Sequence, residues 1–318
     1  MINSTHILAI VIPAYKDTYL RDALNSLVQQ TNKDFTVYIG DDASPNNIKS
    51  IVDEFRNKLP IVYKSFSHNL GKINLAEQWN RCIDLVKSEK WIWLFSDDDI
   101  MDANCVSSFF ETIEGRGDYD VYHFNINIID EDKRIVNKCM KYPEILSSEE
   151  FFESRIKSKF YSFAVEYIFR KDVFYREGKF ESFDMAWGTD DATWIKFSRY
   201  TGIKTIPDAK VYWRLSNSNI SSIKNNYEIL DRKFKSNVSY LDWVINYFKN
   251  NNINDKTNIY DKHKWFINQI KTKDYLCLRK QIKYVMYFNQ TFKSYYLNLY
   301  SIPYLILFKA YKLIKSEK

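Results

Sequence analysis

Cysteine is scarce in this chain. Cys82, Cys105, Cys139 and Cys277 stand far apart, with no C-x-x-C pair among them. That spacing indicates neither a zinc site nor a disulfide framework, and it fits a reducing cytoplasm. Long apolar runs are missing too: no stretch reaches the roughly eighteen residues of a membrane span. Met1 to Ala9 lacks the basic and apolar regions of a secretory signal and reads as the lead-in to a strand. The expectation is a cytoplasmic protein, soluble or peripherally attached at the inner face of the membrane. Charge of one sign is not in large excess either. A formal net charge of +6 suits an anionic small substrate or an anionic membrane surface, and gives no argument for nucleic acid.

What the chain does have is aromatics, with 24 Tyr, 22 Phe and 8 Trp. These serve cores, sugar-stacking platforms and membrane interfaces alike, so the excess selects no single function. An apolar content of 45% and a charged content of 27% are those of a folded protein. The length of 318 residues allows one large domain with an appendage, or two modest domains.

Hydrophobic periodicity organises the N-terminal part. Ile7 to Ile12 is a continuous apolar run closed by Pro13, the pattern of a strand buried on both faces. Leu20, Ala23, Leu24 and Leu27 then recur at helical spacing. Strands are predicted again at Phe35 to Gly40, Ile61 to Phe66 and Trp91 to Phe95, with helices at Ile48 to Phe55 and Ala76 to Val86 between them. Such alternation implies an α/β fold, a mostly parallel sheet with helices on both faces. Further on, β-like runs at Val121 to Ile129, Val165 to Arg170 and Val211 to Leu215 mix with helices, one of them Ala192 to Tyr200. Residues 1–222 read as one α/β domain and 223–318 as a helical C-terminal region.

The most informative segment is Trp91-Ile92-Trp93-Leu94-Phe95-Ser96-Asp97-Asp98-Asp99, a short buried strand running into three carboxylates. Adjacent carboxylates at a strand end are costly unless a cation or hydrogen-bond donors compensate them. Oxygen ligands without nearby Cys or His suit Mg or Mn, ions that share their shell with substrate phosphates. The plainer alternative is a solvated acidic turn capping the next segment. In parallel sheets ligands sit beyond the carboxyl ends of the strands. Asp17 follows the first strand, Asp41 and Asp42 close the second, and Asp97 to Asp99 close the fourth. A second pair, Asp190-Asp191, heads a helical pattern, where a helix N-terminal role is the alternative to catalysis.

Several of these segments, in order, resemble glycosyltransferase family 2. They are Ile10-Val11-Ile12-Pro13-Ala14-Tyr15, Leu27-Val28-Gln29-Gln30-Thr31, Gly40-Asp41-Asp42-Ala43-Ser44, the run Ser96 to Asp99, and Gly188-Thr189-Asp190-Asp191-Ala192-Thr193-Trp194. The resemblance covers about residues 7–222. It implies a GT-A fold, a nucleotide-diphosphate sugar donor, a divalent cation (Mn or Mg) and inversion at the anomeric carbon. Asp98 matches the family's metal ligand, Asp97 the neighbouring acid beside ribose and metal, and Asp99 the residue after it. Asp191 matches the catalytic base, with Trp194 at the hydrophobic position three further on. Asp42 matches the acid that accepts from the base edge, and Pro13, Ala14 and Tyr15 would pass their backbone along the base. Ser96 and Ser216 depart from the pattern, standing where many members have Asp and His. Asp17, Lys72 and Arg214 are further candidates for the donor. Helix capping is the alternative for Asp17, and a solvated surface charge for the two cations.

The resemblance implies an inverting transferase, with a UDP-sugar favoured and a glycan or lipid-linked acceptor of bacterial cell-surface polysaccharide biosynthesis. Alternatives are a non-catalytic binding subunit of such an assembly, a nucleotidyltransferase and a glycoside hydrolase. A nucleotidyltransferase would be expected to carry a Gly-rich basic loop after the first strand, where Ala14-Tyr15-Lys16-Asp17-Thr18 stands instead. A hydrolase would use two carboxylates flanking a bond and no metal cluster. Finally, Tyr295 to Lys315 combines apolar residues with Lys309, Lys312 and Lys315. Such a helix either lies in a membrane interface or packs its apolar face on the main domain.

Overall fold

The computed structural model describes residues 6–115, 117–216, 226–271, 273 and 276–316. Strand β1 (Leu8–Ala14) pairs in parallel with β2 (Phe35–Asp41) on one side and β4 (Trp91–Leu94) on the other, and β2 carries β3 (Ile61–Ser65) in parallel. Helices α1 (Leu20–Val28), α2 (Ile48–Asp53) and α3 (Leu75–Ile83) return the chain between them. Because strand side chains alternate between faces, β1 feeds two cores. Leu8, Ile10 and Ile12 join Leu20, Leu24 and Leu27 of α1 on one face, whereas Ala9 and Val11 join Cys82 and Ile83 of α3 on the other. The four parallel strands end on one edge, and that edge carries the acidic loops.

Beyond β4 the sheet stops being parallel. Strand β9 (Tyr167–Arg170) runs antiparallel to both β4 and β6 (Val121–Ile129), and β10 (Ile203–Arg214) lies parallel to β6. Three short strands complete it: β5 (Ile100–Met101), β7 (Ile135–Lys138) and β8 (Ile145–Leu146), with helix α4 (Cys105–Glu114) following β5 and α6 (Lys171–Arg176) following β9. The sequence pattern shows only the last part of β10, because Pro207 and Asp208 read as loop. With Ala209 they form the irregularity between Ile206 and Lys210, three residues of β10 that have no partner in β6 and shift the register, as extra residues in one strand do. Strands of two residues, or exposed ones such as β7, leave no periodicity to read.

On the α3 side lie α5 (Ser148–Ile156), opened by a Ser147/Glu150 capping box, and α7 (Thr189–Phe197). The C-terminal helices are α8 (Tyr227–Asn250), α9 (Ile259–Lys271), α10 (Leu278–Thr291) and α11 (Asn298–Ser316). Leu230, Phe234, Tyr240 and Phe266 share one apolar cluster with Phe151, Phe152 and Trp194 of α5 and α7. The C-terminal helices are therefore built into the core of the α/β body. The expected boundary at 222–223 lies outside the described residues. Among these residues no helix is long and apolar enough to cross a membrane.

Candidate active site

A cavity of about 1140 Å³ opens at the carboxyl ends of the parallel strands. One end is the acidic loop after β4. Asp97 Oδ2 accepts the amides of Tyr15 and Lys16, both at 2.9 Å, tying the end of β1 to the end of β4. Burial, with the Asp98 carboxylate beside it, pushes the Asp97 carboxyl up to about 6. Asp98 accepts from the Ser96 hydroxyl and stands 3.5 Å from the Lys16 ammonium. Asp99 turns away, with Oδ1 accepting the Arg214 amide at 2.6 Å. Burial and then the charge of Asp98 raise it well above the usual carboxylate range.

Asp42, at the end of β2, accepts the amides of Leu70 at 2.7 Å and Gly71 at 2.8 Å, and also binds Arg81. Gly71 is required by that approach: a Cβ there would stand 2.6 Å from Asp42 Oδ2. Tyr15 is held in turn by its carbonyl, which accepts from the Ser44 hydroxyl at 2.6 Å and the Asn46 amide group at 3.1 Å.

Another part of the lining belongs to α7. Met185, Ala186 and Gly188 adopt left-handed φ values of 59°, 54° and 91°, and this tight turn delivers Asp190 and Asp191 to the first turn of the helix. Arg155 of α5 donates to Asp191 Oδ2 at 2.8 Å and to the Phe160 carbonyl at 2.8 Å. Asp191 Oδ1 is buried and has no hydrogen-bond partner. Burial, with the Asp191 charge adjacent, pushes Asp190 up to about 7. One carboxylate is thus fixed by an arginine with an oxygen to spare, beside a second carboxyl that resists ionisation.

Of the residues singled out in the sequence, Pro13, Ala14, Tyr15, Asp42, Lys72, Asp97, Asp98, Asp99 and Asp191 all line this cavity. Asp17 and Arg214 are not among the lining residues. Asp17 lies at the start of α1, where its carbonyl accepts the Leu20 amide at 3.3 Å. Arg214 departs from the expectation of a phosphate contact because it is fully buried and its guanidinium is spent on the protein. It donates to the carbonyls of Asp98 at 2.7 Å and Glu131 at 3.0 Å and to Asp22 at 3.2 Å, and stacks on Tyr19.

The sequence reading passes over Lys16, Arg155, Trp187, Tyr240 and Trp265, which also line the cavity. Lys16 is flanked by two chosen residues and carried a signal in its position. Arg155 and Tyr240 sit singly in amphipathic helices, where nothing in the spacing marks them.

Among the described residues, no group of three or more His, Cys, Asp or Glu side chains is arranged to hold a metal ion. Asp97 and Asp98 are two oxygen donors of the kind that take Mg or Mn jointly with a diphosphate, so the donor chemistry fits while the protein supplies only part of a shell.

The sequence matches the family profile described as Glycosyl transferase family 2 over residues 9–180. No curated protein matches it. Among solved structures the chain is similar to S. aureus TarS 1–349 in complex with UDP-GlcNAc, at 17% identity and a TM-score of 0.57, covering 95% of this chain and 88% of that one. The same fragment in complex with UDP gives 17% identity and a TM-score of 0.56 over 98% and 92%. The S. aureus TarS structure itself gives 16% and 0.57, with 89% of this chain spanning 49% of that one. At such identity the likeness carries the fold, which is the expected GT-A arrangement with added C-terminal helices. Since the profile covers more than half of the chain, the protein belongs to glycosyltransferase family 2.

Proposed function

We propose that this glycosyltransferase moves a sugar from a nucleotide-diphosphate donor, with UDP favoured, to a hydroxyl of a glycan or lipid-linked oligosaccharide acceptor, with inversion. The observation that carries this reading is the orphaned Asp191 Oδ1 in a residue that lines the same cavity as Asp97 and Asp98. A single displacement needs one carboxylate on the acceptor side and a site for the leaving diphosphate on the other. The acceptor hydroxyl passes its proton to Asp191 Oδ1 as its oxygen bonds to the anomeric carbon. The bond from that carbon to the diphosphate oxygen breaks with its electron pair on the diphosphate. Arg155 fixes Asp191 through Oδ2 and leaves the other oxygen free.

On the donor side, Pro13, Ala14 and Tyr15 run along the base, Asp42 accepts from its edge, and Lys72 and Lys16 meet the diphosphate. A divalent cation, Mn or Mg, would be held by Asp98 and Asp97 and would neutralise charge on the leaving group. UDP is favoured because the structural relative TarS is seen with UDP-GlcNAc and UDP. Residues 1–222 form the transferase domain in this reading, and the helices after it bring the enzyme to a membrane face for polysaccharide assembly.

Calorimetry with UDP-, GDP- and dTDP-sugars, with and without Mn, on wild type, Asp98→Ala and Asp191→Asn tests the assignment. Asp98→Ala is expected to lose metal-dependent binding and Asp191→Asn to keep it, with turnover lost in both. Absence of binding by every nucleotide sugar would favour a non-catalytic binding subunit.

A further inference from the structure

Tyr240 of α8 lines the cavity together with Asp190 and Asp191. Its ring packs against the backbone of Gly188, where a Cβ would stand 3.0 Å from Tyr240 Cγ, two residues before Asp190. Phe152 and Phe183 meet it edge-on, both with centroids 6.2 Å away. The side chain is buried, it lines the cavity, and its hydroxyl has no hydrogen-bond partner. A buried hydroxyl left unpaired is a net loss of stability, and phenylalanine would fill the same space without it. Asp191 lines the same cavity, and its Oδ1 is orphaned as well. After burial, the Asp191 charge is the largest influence holding the Tyr240 phenol well above its ordinary range, and so in its neutral, donating form.

An ionised carboxylate oxygen only accepts, whereas a phenol donates and accepts. One alcohol satisfies both: its proton lies on Asp191 Oδ1 and its oxygen takes the phenol hydrogen. We propose that Tyr240 is an acceptor-binding residue which, with Asp191, holds the attacking hydroxyl of a saccharide. This deepens the transferase reading above and rests on it. The wall around it agrees with a sugar. Asn237 lies one turn from Tyr240 on α8, and Trp265 and Gln269 lie one turn apart on α9, so each helix turns a neutral amide and an aromatic ring to the cavity. Amides bond hydroxyls and aromatic faces stack on sugar rings. All of these residues lie outside the segment 9–180 that defines the family match.

Tyr240→Phe in the full chain tests the assignment. UDP release from UDP-GlcNAc is followed with a panel of p-nitrophenyl glycosides as acceptors, alongside thermal melting and UDP calorimetry. The expected result is turnover with the best acceptor reduced roughly 10–100-fold, UDP affinity within about twofold of wild type, and a melting temperature equal or higher, as loss of an unpaired hydroxyl requires. A variant that turns over acceptor within about twofold of an active wild type overturns the proposal and leaves the transferase reading standing. A wild type that neither binds UDP nor consumes any nucleotide sugar overturns both.

Discussion

Arg214 shows how a single side chain can serve the site without touching it. From behind the acidic loop its Nε holds the Asp98 carbonyl at 2.7 Å, its amide fills Asp99 Oδ1, and its Nη2 reaches Asp22. The position of Asp98 in the cavity therefore depends on a buried cation. Removing one partner of such a cluster costs about 3–5 kcal/mol, so Arg214→Met is expected to lower the unfolding free energy measured by urea denaturation by that amount, whereas wild-type stability would show these bonds to be dispensable. Lysine at this position should recover only part, since one ammonium cannot reproduce the planar fork. Residue by residue, the sequence was informative where chemistry is clustered. Asp97, Asp98 and Asp191 are marked by adjacent carboxylates in family motifs, and all three line the cavity. Arg155 and Tyr240 stand singly in their helices, and a lone polar residue in a helix has the same pattern whether it faces water or a substrate.

At the scale of elements, legibility followed length and regularity. Strands β1 and β4 are continuous apolar runs, and β2 nearly so, because they are buried on both faces, whereas the edge strand β3 is partly exposed; all four were readable to within a residue or two. The antiparallel part was obscured by two-residue strands and by the irregular β10. The turn from Met185 to Gly188 belongs to the same class: its left-handed residues give no sequence pattern beyond one glycine, yet it sets where α7 begins. Gly188→Ala would meet both the strained φ of 91° and a Tyr240 Cγ at 3.0 Å. The expected cost is about 1–3 kcal/mol, read by thermal melting. Because Gly188 is the N-cap of the helix bearing Asp191, single-turnover transfer should fall by more than the nucleotide affinity does. Equal losses in both would mean that the turn supports the whole fold rather than the proposed base in particular.

At the scale of the whole molecule, the distribution of charge matters more than its sum. Residues 275–318 hold eight lysines and arginines and a single acid, so the preceding 274 residues carry a net charge of −1 within a total of +6. Among the described side chains of α11, Ser301 and Leu305 are buried, while Leu299, Tyr300, Leu307 and Tyr311 are 76%, 69%, 68% and 62% exposed. Apolar and tyrosine side chains beside lysines are what an interfacial helix presents to an anionic bilayer, each nearby lysine contributing about 1 kcal/mol. This helix is also one step from the cavity, since Lys271 of α9 donates to Tyr304 of α11 at 2.8 Å and α9 carries Trp265 and Gln269. A lipid-linked acceptor held at the surface by α11 would thus present its sugar close to the wall proposed to receive it. The protein is expected to co-sediment with vesicles containing phosphatidylglycerol and not with phosphatidylcholine alone, and to be released by salt as surface electrostatics are screened. Leu299→Glu with Leu307→Glu should abolish sedimentation and leave UDP binding intact. Should the wild type ignore both vesicles and instead dimerise in sedimentation velocity, the exposed face of α11 is a contact between copies of the chain and the membrane assignment falls.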